Sequence, residues 1–105
     1  MSRPIYVKKS RIHGFGVFAR RPIRRGTYLG RYHGNRTTRN GRYVLWVIQE
    51  DGEHVGINGR NGLRFLNHSR RPNAEFIGNE LYATSRIGPD DEITIDYGDD
   101  WADTN

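Results

Sequence analysis

Two glycines near the start of the chain have a spacing that is used for nucleotide binding in other proteins. Residues 14–19 read Gly-Phe-Gly-Val-Phe-Ala, and a backbone without a Cβ atom lets a ligand approach closely. A dinucleotide site would also need a buried strand before the glycines, a helix after them and an acidic residue about 20 positions later. Pro22 and Gly26 argue against that helix, and the first acidic residue is Glu50. The glycines therefore predict a ligand-binding turn of another kind.

Two later segments carry side chains that could act beside such a turn. Asn67 and His68 end the sequence Arg-Phe-Leu-Asn-His, and Tyr97 is the last residue but one of the sequence Glu-Ile-Thr-Ile-Asp-Tyr-Gly. The amide of Asn67, the imidazole of His68 and the phenol of Tyr97 can each bind a polar ligand by hydrogen bonds. The same side chains also serve as buried structural groups in many proteins. Residue type alone leaves both interpretations open.

Composition limits the kind of protein that this chain can be. Its 105 residues contain no cysteine, which excludes disulfides and thiolate metal sites. The histidines lack metal-ligand spacing, and the longest apolar run, residues 43–48, is too short to span a membrane. The first residues show no apolar signal region, so we expect no Sec-type secretion. We expect one domain over residues 1–105, intracellular, with no metal and no membrane segment.

Charge is divided unevenly along the chain. Residues 1–49 contain 12 Lys and Arg and no acidic residue, whereas residues 50–105 contain 5 Lys and Arg and all 12 acidic residues. The two halves can pair with each other in the folded state, or the basic half can face an anionic partner. Arginine makes up 15 of the 17 cations, and its planar guanidinium suits phosphate and carboxylate.

The elements that must position these residues are predicted to be short strands. Thirteen glycines and frequent turn dipeptides separate runs of β-branched and aromatic residues. The Asp51-Gly52 pair is the clearest hairpin signal, and residues 61–67 could form a helical turn. The fold class is therefore all-β. Strands are predicted at residues 5–8, 15–19, 27–32, 43–49, 54–57, 75–77, 81–85 and 92–96.

Three motifs, taken in their order along the chain, resemble the SET-domain family of protein lysine methyltransferases. They are Gly14-Phe15-Gly16, the segment Arg64-Phe65-Leu66-Asn67-His68, and the strand Glu92-Ile93-Thr94-Ile95-Asp96-Tyr97-Gly98. The resemblance covers nearly the whole chain. It implies several small sheets, at most short helical turns and a C-terminal pseudoknot. It also implies methyl transfer from S-adenosylmethionine to a lysine side chain.

The resemblance further implies roles for individual residues. Tyr97 would be the catalytic tyrosine, which orients the lysine amine. The cofactor would be bound by Gly14, Phe15, Gly16, Tyr43, Asn67 and His68. The lysine channel would be lined by Tyr32, Tyr97 and Trp101. Tyr32 and Tyr43 could instead be core aromatics, and Trp101 could be an exposed indole in the C-terminal segment.

Some positions depart from the family pattern. Arg31 stands where many members have glutamate, and Ile95 stands where an aromatic residue is frequent, so the number of methyl groups transferred is left open. Only four residues follow Trp101, which is too few for the family's C-terminal lid. The channel would then be closed by Trp101, by the substrate or by a second subunit. We expect a homodimer.

The resemblance predicts a basic, histone-like protein or peptide as the substrate. Asp96, Asp99, Asp100 and Asp103 surround Tyr97 and would attract such a partner, although an acidic tail that is simply solvated has the same composition. The alternative function is a small basic β-barrel that binds nucleic acid. In that case arginines would follow the phosphates, and bases would stack on Phe15, Phe18, Tyr28 or Tyr32. Direct nucleic-acid binding is left open by the sequence.

Overall fold

The computed structural model describes residues 3–98, and this part of the chain is built from short strands. The all-β prediction is confirmed. The strands are β1 (Ile5–Lys9), β2 (Phe15–Ala19), β3 (Tyr28–Arg31), β4 (Gly34–Thr37), β5 (Val44–Ile48), β6 (His54–Gly59), β7 (Asn67–His68), β8 (Ala74–Ile77), β9 (Glu80–Ala83) and β10 (Glu92–Ile95). One 3₁₀ turn, Gly62–Phe65, lies within the region where a helical turn is predicted.

The first sheet contains four strands in the order β1-β2-β10-β7. β1 and β2 form an antiparallel hairpin in which Lys9 is opposite Phe15 and Ile5 is opposite Ala19. β10 is antiparallel to β2 and parallel to β7. The last described strand therefore lies between an early strand and a middle one. The predicted threading of the C-terminal segment through a loop stays a prediction.

The other two sheets have three strands each, in the orders β3-β9-β8 and β4-β6-β5. β8 and β9 form a hairpin around residues 78–79, and β5 and β6 form a hairpin around the predicted Asp51-Gly52 turn. Gly52 has φ +84, a conformation that glycine adopts without steric cost. The hairpin signal at this dipeptide is confirmed.

A single cluster of apolar side chains joins the four-stranded sheet to the β3-β9-β8 sheet. Val17, Leu81, Ile87 and Ile93 are at most 1% exposed. They come from β2, β9, an isolated bridge and β10. Burial of this kind contributes roughly 25 cal/mol per Å² of apolar surface removed from water, so the cluster holds β2 and β10 in place under the site described below.

Two strands are not predicted by the sequence. β4 reads Gly-Asn-Arg-Thr and is almost entirely exposed, so it lacks the alternation of apolar and polar residues that marks a half-buried strand. It forms because its backbone pairs with β6. β7 has only two residues, which is too short to produce a pattern.

Candidate active site

A cleft of about 1060 Å³ opens at the turn between β1 and β2. Its walls are formed by that turn (residues 12–15), the segment that leads into β5 (residues 40–43), the segment that leads into and includes β7 (residues 64–68), and Tyr97. Six of the nine residues proposed for the site from the sequence lie together in this cleft. They are Gly14, Phe15, Tyr43, Asn67, His68 and Tyr97.

Gly14 presents bare backbone at the edge of the cleft. Its φ is +47, and a Cβ built on it would have no neighbour within 4 Å. Its carbonyl accepts a 2.7 Å hydrogen bond from the N–H of Ser10, which closes the turn. The glycine is therefore required by backbone conformation, and the space beside it is free for a ligand.

Gly16 has a different environment, because it does not line the cleft. A Cβ at this position would lie 2.4 Å from Oε2 of Glu92 and 3.0 Å from Cβ of Ser10. The second glycine of the motif thus makes room for a carboxylate beneath the cleft floor. Its predicted contact with a cofactor stays a prediction.

Asn67 is 7% exposed and holds several parts of the site together. Its Nδ2 donates to the carbonyls of His13 (3.0 Å) and Phe15 (3.1 Å) and to Oε2 of Glu92 (2.8 Å). Three oxygens around one atom identify that atom as the amide nitrogen, so the orientation of the amide is fixed. No fully enclosed polar side-chain atom in residues 3–98 lacks a partner. The amide oxygen accepts no hydrogen bond from those residues and is therefore not fully enclosed, and the residue lines the cleft.

Glu92 is a site residue to which the sequence analysis gives no role. Its Oε1 accepts a 2.7 Å hydrogen bond from Ser10 Oγ, and its Oε2 accepts the bond from Asn67. Its backbone carbonyl accepts a 2.9 Å bond from Nδ2 of Asn73. The sequence contains one indication of this role, because Glu92 is the first residue of a strand whose other residues are buried. A carboxylate in such a position needs hydrogen-bond partners. Glu92 fixes Asn67 from behind the cleft.

Tyr97 is half-buried at the cleft wall. Its hydroxyl donates a short hydrogen bond to the carbonyl of Leu66, and its backbone N–H donates to Nδ1 of His68 at 3.0 Å. Burial raises the pKa of Tyr97 above its ordinary value of 10.0, and the positive charge of Arg42 lowers it in part. The phenol therefore stays protonated at neutral pH. It can orient a ligand, but it is not suited to act as a base.

His68 is held in one tautomer by the same contact. Because its Nδ1 accepts the N–H of Tyr97, the proton of the neutral ring is on Nε2. The two rings lie 5.2 Å apart between centroids at an angle of 47°. Asp96 Oδ1 is 3.7 Å from the same Nδ1, and the two side chains form an ion pair only when the ring is protonated. His68 thus fixes the main chain of Tyr97, while its own backbone pairs with Ile95.

Aromatic rings form the apolar wall of the cleft. Phe65 lies between Phe15 and Tyr43, at centroid distances of 5.6 Å and 6.1 Å. Arg42 places its guanidinium 5.6 Å from the Tyr43 ring, and Arg64 places its own 4.2 Å from the Phe65 ring. The cleft therefore offers flat apolar surface next to positive charge, which suits a ligand with a heteroaromatic ring and an anionic group.

Tyr32 lies outside this cleft. It is 4% exposed, its ring packs edge-on against Phe76, and its hydroxyl donates a 2.6 Å hydrogen bond to the carbonyl of Tyr43. Burial raises its pKa strongly, and the nearby Tyr97 adds to the shift. Tyr32 thus supports the backbone of the cleft segment from inside the core. Its predicted role in a lysine channel stays a prediction.

Arg64 and Arg31 both make polar contacts outside the centre of the cleft. Arg64 donates to the carbonyls of Arg60 (2.7 Å) and Asn61 (2.9 Å), so it braces the turn before β7. Arg31 forms a 2.7 Å ion pair with Glu80. Trp101 lies outside the described residues.

Residues 3–98 contain neither a metal-binding cluster nor a membrane-spanning helix. No group of three or more His, Cys, Asp or Glu side chains in that range is arranged to hold a metal ion. No helix in the same range is long and apolar enough to cross a membrane.

Comparison with known proteins gives a consistent result. The family model of the SET domain matches residues 14–98. The histone-lysine N-methyltransferase MEDEA of Arabidopsis thaliana is 29% identical over 118 residues, an alignment that covers 91% of this chain and 17% of MEDEA. The chain thus spans about a sixth of the length of that relative.

Solved structures share the fold at lower sequence identity. The methyltransferase domain of human PR domain-containing protein 2 superposes with a TM-score of 0.72 at 20% identity, covering 95% of this chain and 81% of that one. The methyltransferase domain of human SETMAR superposes with a TM-score of 0.76 at 23% identity, covering 92% and 45%. With the family match over most of its length, the chain belongs to the SET domain family.

Proposed function

We propose that the chain is a protein-lysine N-methyltransferase that uses S-adenosylmethionine and acts on a basic protein of the histone type. One observation carries the proposal: a turn with bare backbone, a fixed amide and a half-buried phenol, which come from three distant parts of the chain, meet in a single cleft. The name of the Arabidopsis relative supports the reaction and the substrate class. Neither follows from the fold alone.

The cleft fits the predicted cofactor, S-adenosylmethionine, by the chemistry of its walls. Asn67 lines the cleft, and its amide oxygen can accept an ammonium N–H, while the guanidinium of Arg42 can bind a carboxylate. Phe65 and Tyr43 offer ring faces for an adenine. The bare backbone at Gly14 and the backbone of His68 add polar groups at the edge.

Tyr97 is the residue proposed to act on the lysine. Its hydroxyl donates its hydrogen to the Leu66 carbonyl, and a phenol oxygen also has lone pairs, which can accept an N–H from an amine. S-adenosylmethionine, when bound, supplies a methyl group on a sulfonium. Holding the amine in line with that group is the main contribution of the site, because positioning alone can remove a large part of a bimolecular barrier.

The lysine must lose a proton before it can attack, because its free pKa is about 10.4. A half-buried site disfavours the charged ammonium. Tyr97 keeps its own proton, since burial raises its pKa, so water is the proposed acceptor of the lysine proton. We therefore propose no general-base role for Tyr97.

The substrate class is proposed from charge. Asp96 is about half exposed next to Tyr97, and Asp99, Asp100 and Asp103 follow in the sequence outside the described residues. Acidic groups at the entrance of a site raise the local concentration of a basic peptide. Methyl transfer to a Lys- and Arg-rich peptide should therefore slow as salt is raised from about 50 mM to 500 mM. A rate that does not depend on salt would contradict this assignment.

The homodimer also belongs to the proposal. Closure of the lysine channel by Trp101 or by a second subunit rests on the sequence, and Trp101 is outside the described residues. Sedimentation of the free chain tests the homodimer, which is expected at micromolar concentration. A monomer that is fully active would rule out closure of the channel by a second subunit.

The β-barrel alternative is not favoured. The described strands form three separate sheets, and two of the four aromatics proposed to stack on bases are buried, Phe18 at 6% exposure and Tyr32 at 4%. Buried rings cannot serve as stacking surfaces for a single strand.

Calorimetry with S-adenosylmethionine tests the proposed function. The chain should bind one equivalent. Arg42→Gln should weaken that binding by about tenfold, the loss of one charge-assisted hydrogen bond. The same substitution should not change the affinity for methylthioadenosine, which lacks the amino-acid part.

The matched control is Arg39→Gln, which removes an equal charge from an exposed residue outside the cleft. It should leave both affinities as they are. The cofactor assignment would be contradicted by the absence of any binding heat, or by equal losses in the two arginine variants.

A further inference from the structure

Residues 20–25, Arg-Arg-Pro-Ile-Arg-Arg, form a surface turn that we call the arginine turn. Its centre, Ile23, is 2% exposed and exchanges two 2.9 Å backbone hydrogen bonds with Ile87. The N–H of Arg20 donates to Pro4, and the N–H of Gly26 donates to Ala83, each at 2.8 Å. The backbone is thus fixed at three points, while the four arginines are exposed.

Two more exposed arginines lie beside this turn. Arg3 is held against it, because Nε of Arg20 donates to the Arg3 carbonyl at 3.1 Å. Arg86 precedes Ile87, the residue that pairs with Ile23. Six arginines therefore surround one rigid piece of backbone: Arg3, Arg20, Arg21, Arg24, Arg25 and Arg86.

The acidic residues next to the arginine turn do not pair with it. Asp90 and Asp91 contact the neighbouring Ala19 through backbone hydrogen bonds. Their carboxylates accept hydrogen bonds from the Tyr6 hydroxyl (2.6 Å) and from the Gly88 N–H (3.1 Å). Within residues 3–98, one ion pair joins an arginine or lysine to an acidic side chain, and it is formed by Arg31 and Glu80. The arginine turn keeps its positive charge for an external partner.

The surroundings of the turn indicate which polyanion fits. Binding to single strands needs exposed aromatic rings for stacking, and insertion into a lipid surface needs exposed apolar side chains. None of the exposed large hydrophobic residues of the described chain lies in the arginine turn or next to Arg86. A duplex requires only cations placed along its phosphates, and arginine is well suited to phosphate. We infer that the arginine turn, with Arg3 and Arg86, binds the backbone of double-stranded nucleic acid without reading its sequence.

This surface is separate from the cleft. In the β1–β2 hairpin, Lys9 and Phe15 pair at the cleft end, and Ile5 and Ala19 pair at the end that carries the arginine turn. A strand of five residues spans roughly 16 Å at about 3.3 Å per residue. The arginine turn and the cleft thus lie at opposite ends of the same hairpin. The inference does not depend on the proposed enzyme activity.

The test is titration of the intact chain into a labelled 20-base-pair DNA duplex of mixed sequence, at several salt concentrations. Binding should weaken with salt. Arg24→Gln with Arg25→Gln should reduce the affinity by about tenfold at low salt. The double substitution should also make the slope of log K against log salt less steep by about 1.8, the loss of two phosphate contacts.

The matched control is Arg36→Gln with Arg39→Gln, which removes the same charge from exposed residues of β4 and the loop after it. It should leave the slope unchanged. Equal losses in the two double variants would show general electrostatics and overturn the site. Stronger binding to a single strand of equal length, or to vesicles of anionic lipid, would overturn the duplex assignment.

Discussion

The four-stranded sheet and the β4-β6-β5 sheet are built in different ways. In the first, side-chain hydrogen bonds join distant parts of the chain, as in the link from Ser10 to Glu92 to Asn67. In the second, side-chain hydrogen bonds join neighbours, as between Asn40 and Trp46. The first sheet therefore depends on polar groups fixed inside the fold, and it carries the part of the cleft that contains Phe15, Asn67 and His68. The second depends on turns and backbone pairing.

The largest difference between the two regions is expected for their asparagines. Asn67→Ala removes three hydrogen bonds and leaves the carboxylate of Glu92 without one of its partners. It should lower the free energy of unfolding by about 2–4 kcal/mol. Asn40→Ala removes contacts of an exposed side chain and should cost about 0.5 kcal/mol. Urea unfolding of both variants measures the difference, and equal costs would contradict the comparison.

A methyl group added at Gly16, next to Glu92, should have the next largest effect on the free energy of unfolding. Gly16→Ala would place a Cβ 2.4 Å from Oε2 of Glu92 and should cost about 1–3 kcal/mol by overpacking. Glu92→Asp shortens the side chain and should make room for the added methyl. The double variant should therefore lose less than the sum of the two single variants in a double-mutant cycle of unfolding free energies. Additive losses would show that the two residues do not compete for the same space.

The burial of Tyr32 should make the free energy of unfolding depend on pH in the alkaline range. The pKa of Tyr32 is raised by burial, so above pH about 10 the unfolded chain loses a proton that the folded chain keeps. The free energy of unfolding should then fall as pH rises, because the unfolded state binds fewer protons. Tyr32→Phe should lower the free energy of unfolding by about 1 kcal/mol at pH 7, because the hydrogen bond to the Tyr43 carbonyl is lost. Above pH 10, the free energy of unfolding of this variant should fall less steeply than that of the wild type. An unchanged alkaline slope would contradict the burial of this hydroxyl.

The smallest difference in stability between the two regions is expected for two glycines with the same backbone requirement. Gly14 and Gly52 both have positive φ, +47 and +84, and both have open space where a Cβ would be. Replacing either with alanine should cost roughly 1–2 kcal/mol. Only Gly14→Ala should also weaken the binding of S-adenosylmethionine, because Gly14 lines the cleft. Equal cofactor affinity in the two variants would remove the ligand role from the first glycine.

The same contrast explains what could be predicted from the sequence. The turn at Asp51-Gly52 and most strand positions follow from local patterns, and the order of three motifs indicates the family. The role of Glu92 does not follow, because it depends on a hydrogen bond to a residue 25 positions away and on the space left by Gly16. The position of Tyr32 outside the cleft depends on packing against Phe76. Tertiary contacts decide these points, and one sequence does not contain a local signal for them.

The central claim is that the phenol of Tyr97 positions a lysine amine in the cleft. The most direct test is transfer of a radiolabelled methyl group from S-adenosylmethionine to a basic, lysine-containing protein by Tyr97→Phe, with Tyr28→Phe as the control. Tyr28 is exposed and bonds to Glu80 outside the cleft. We predict a rate loss of about 100-fold or more for Tyr97→Phe, with cofactor affinity retained, and no loss for Tyr28→Phe. Equal rates in wild type and Tyr97→Phe would contradict the claim.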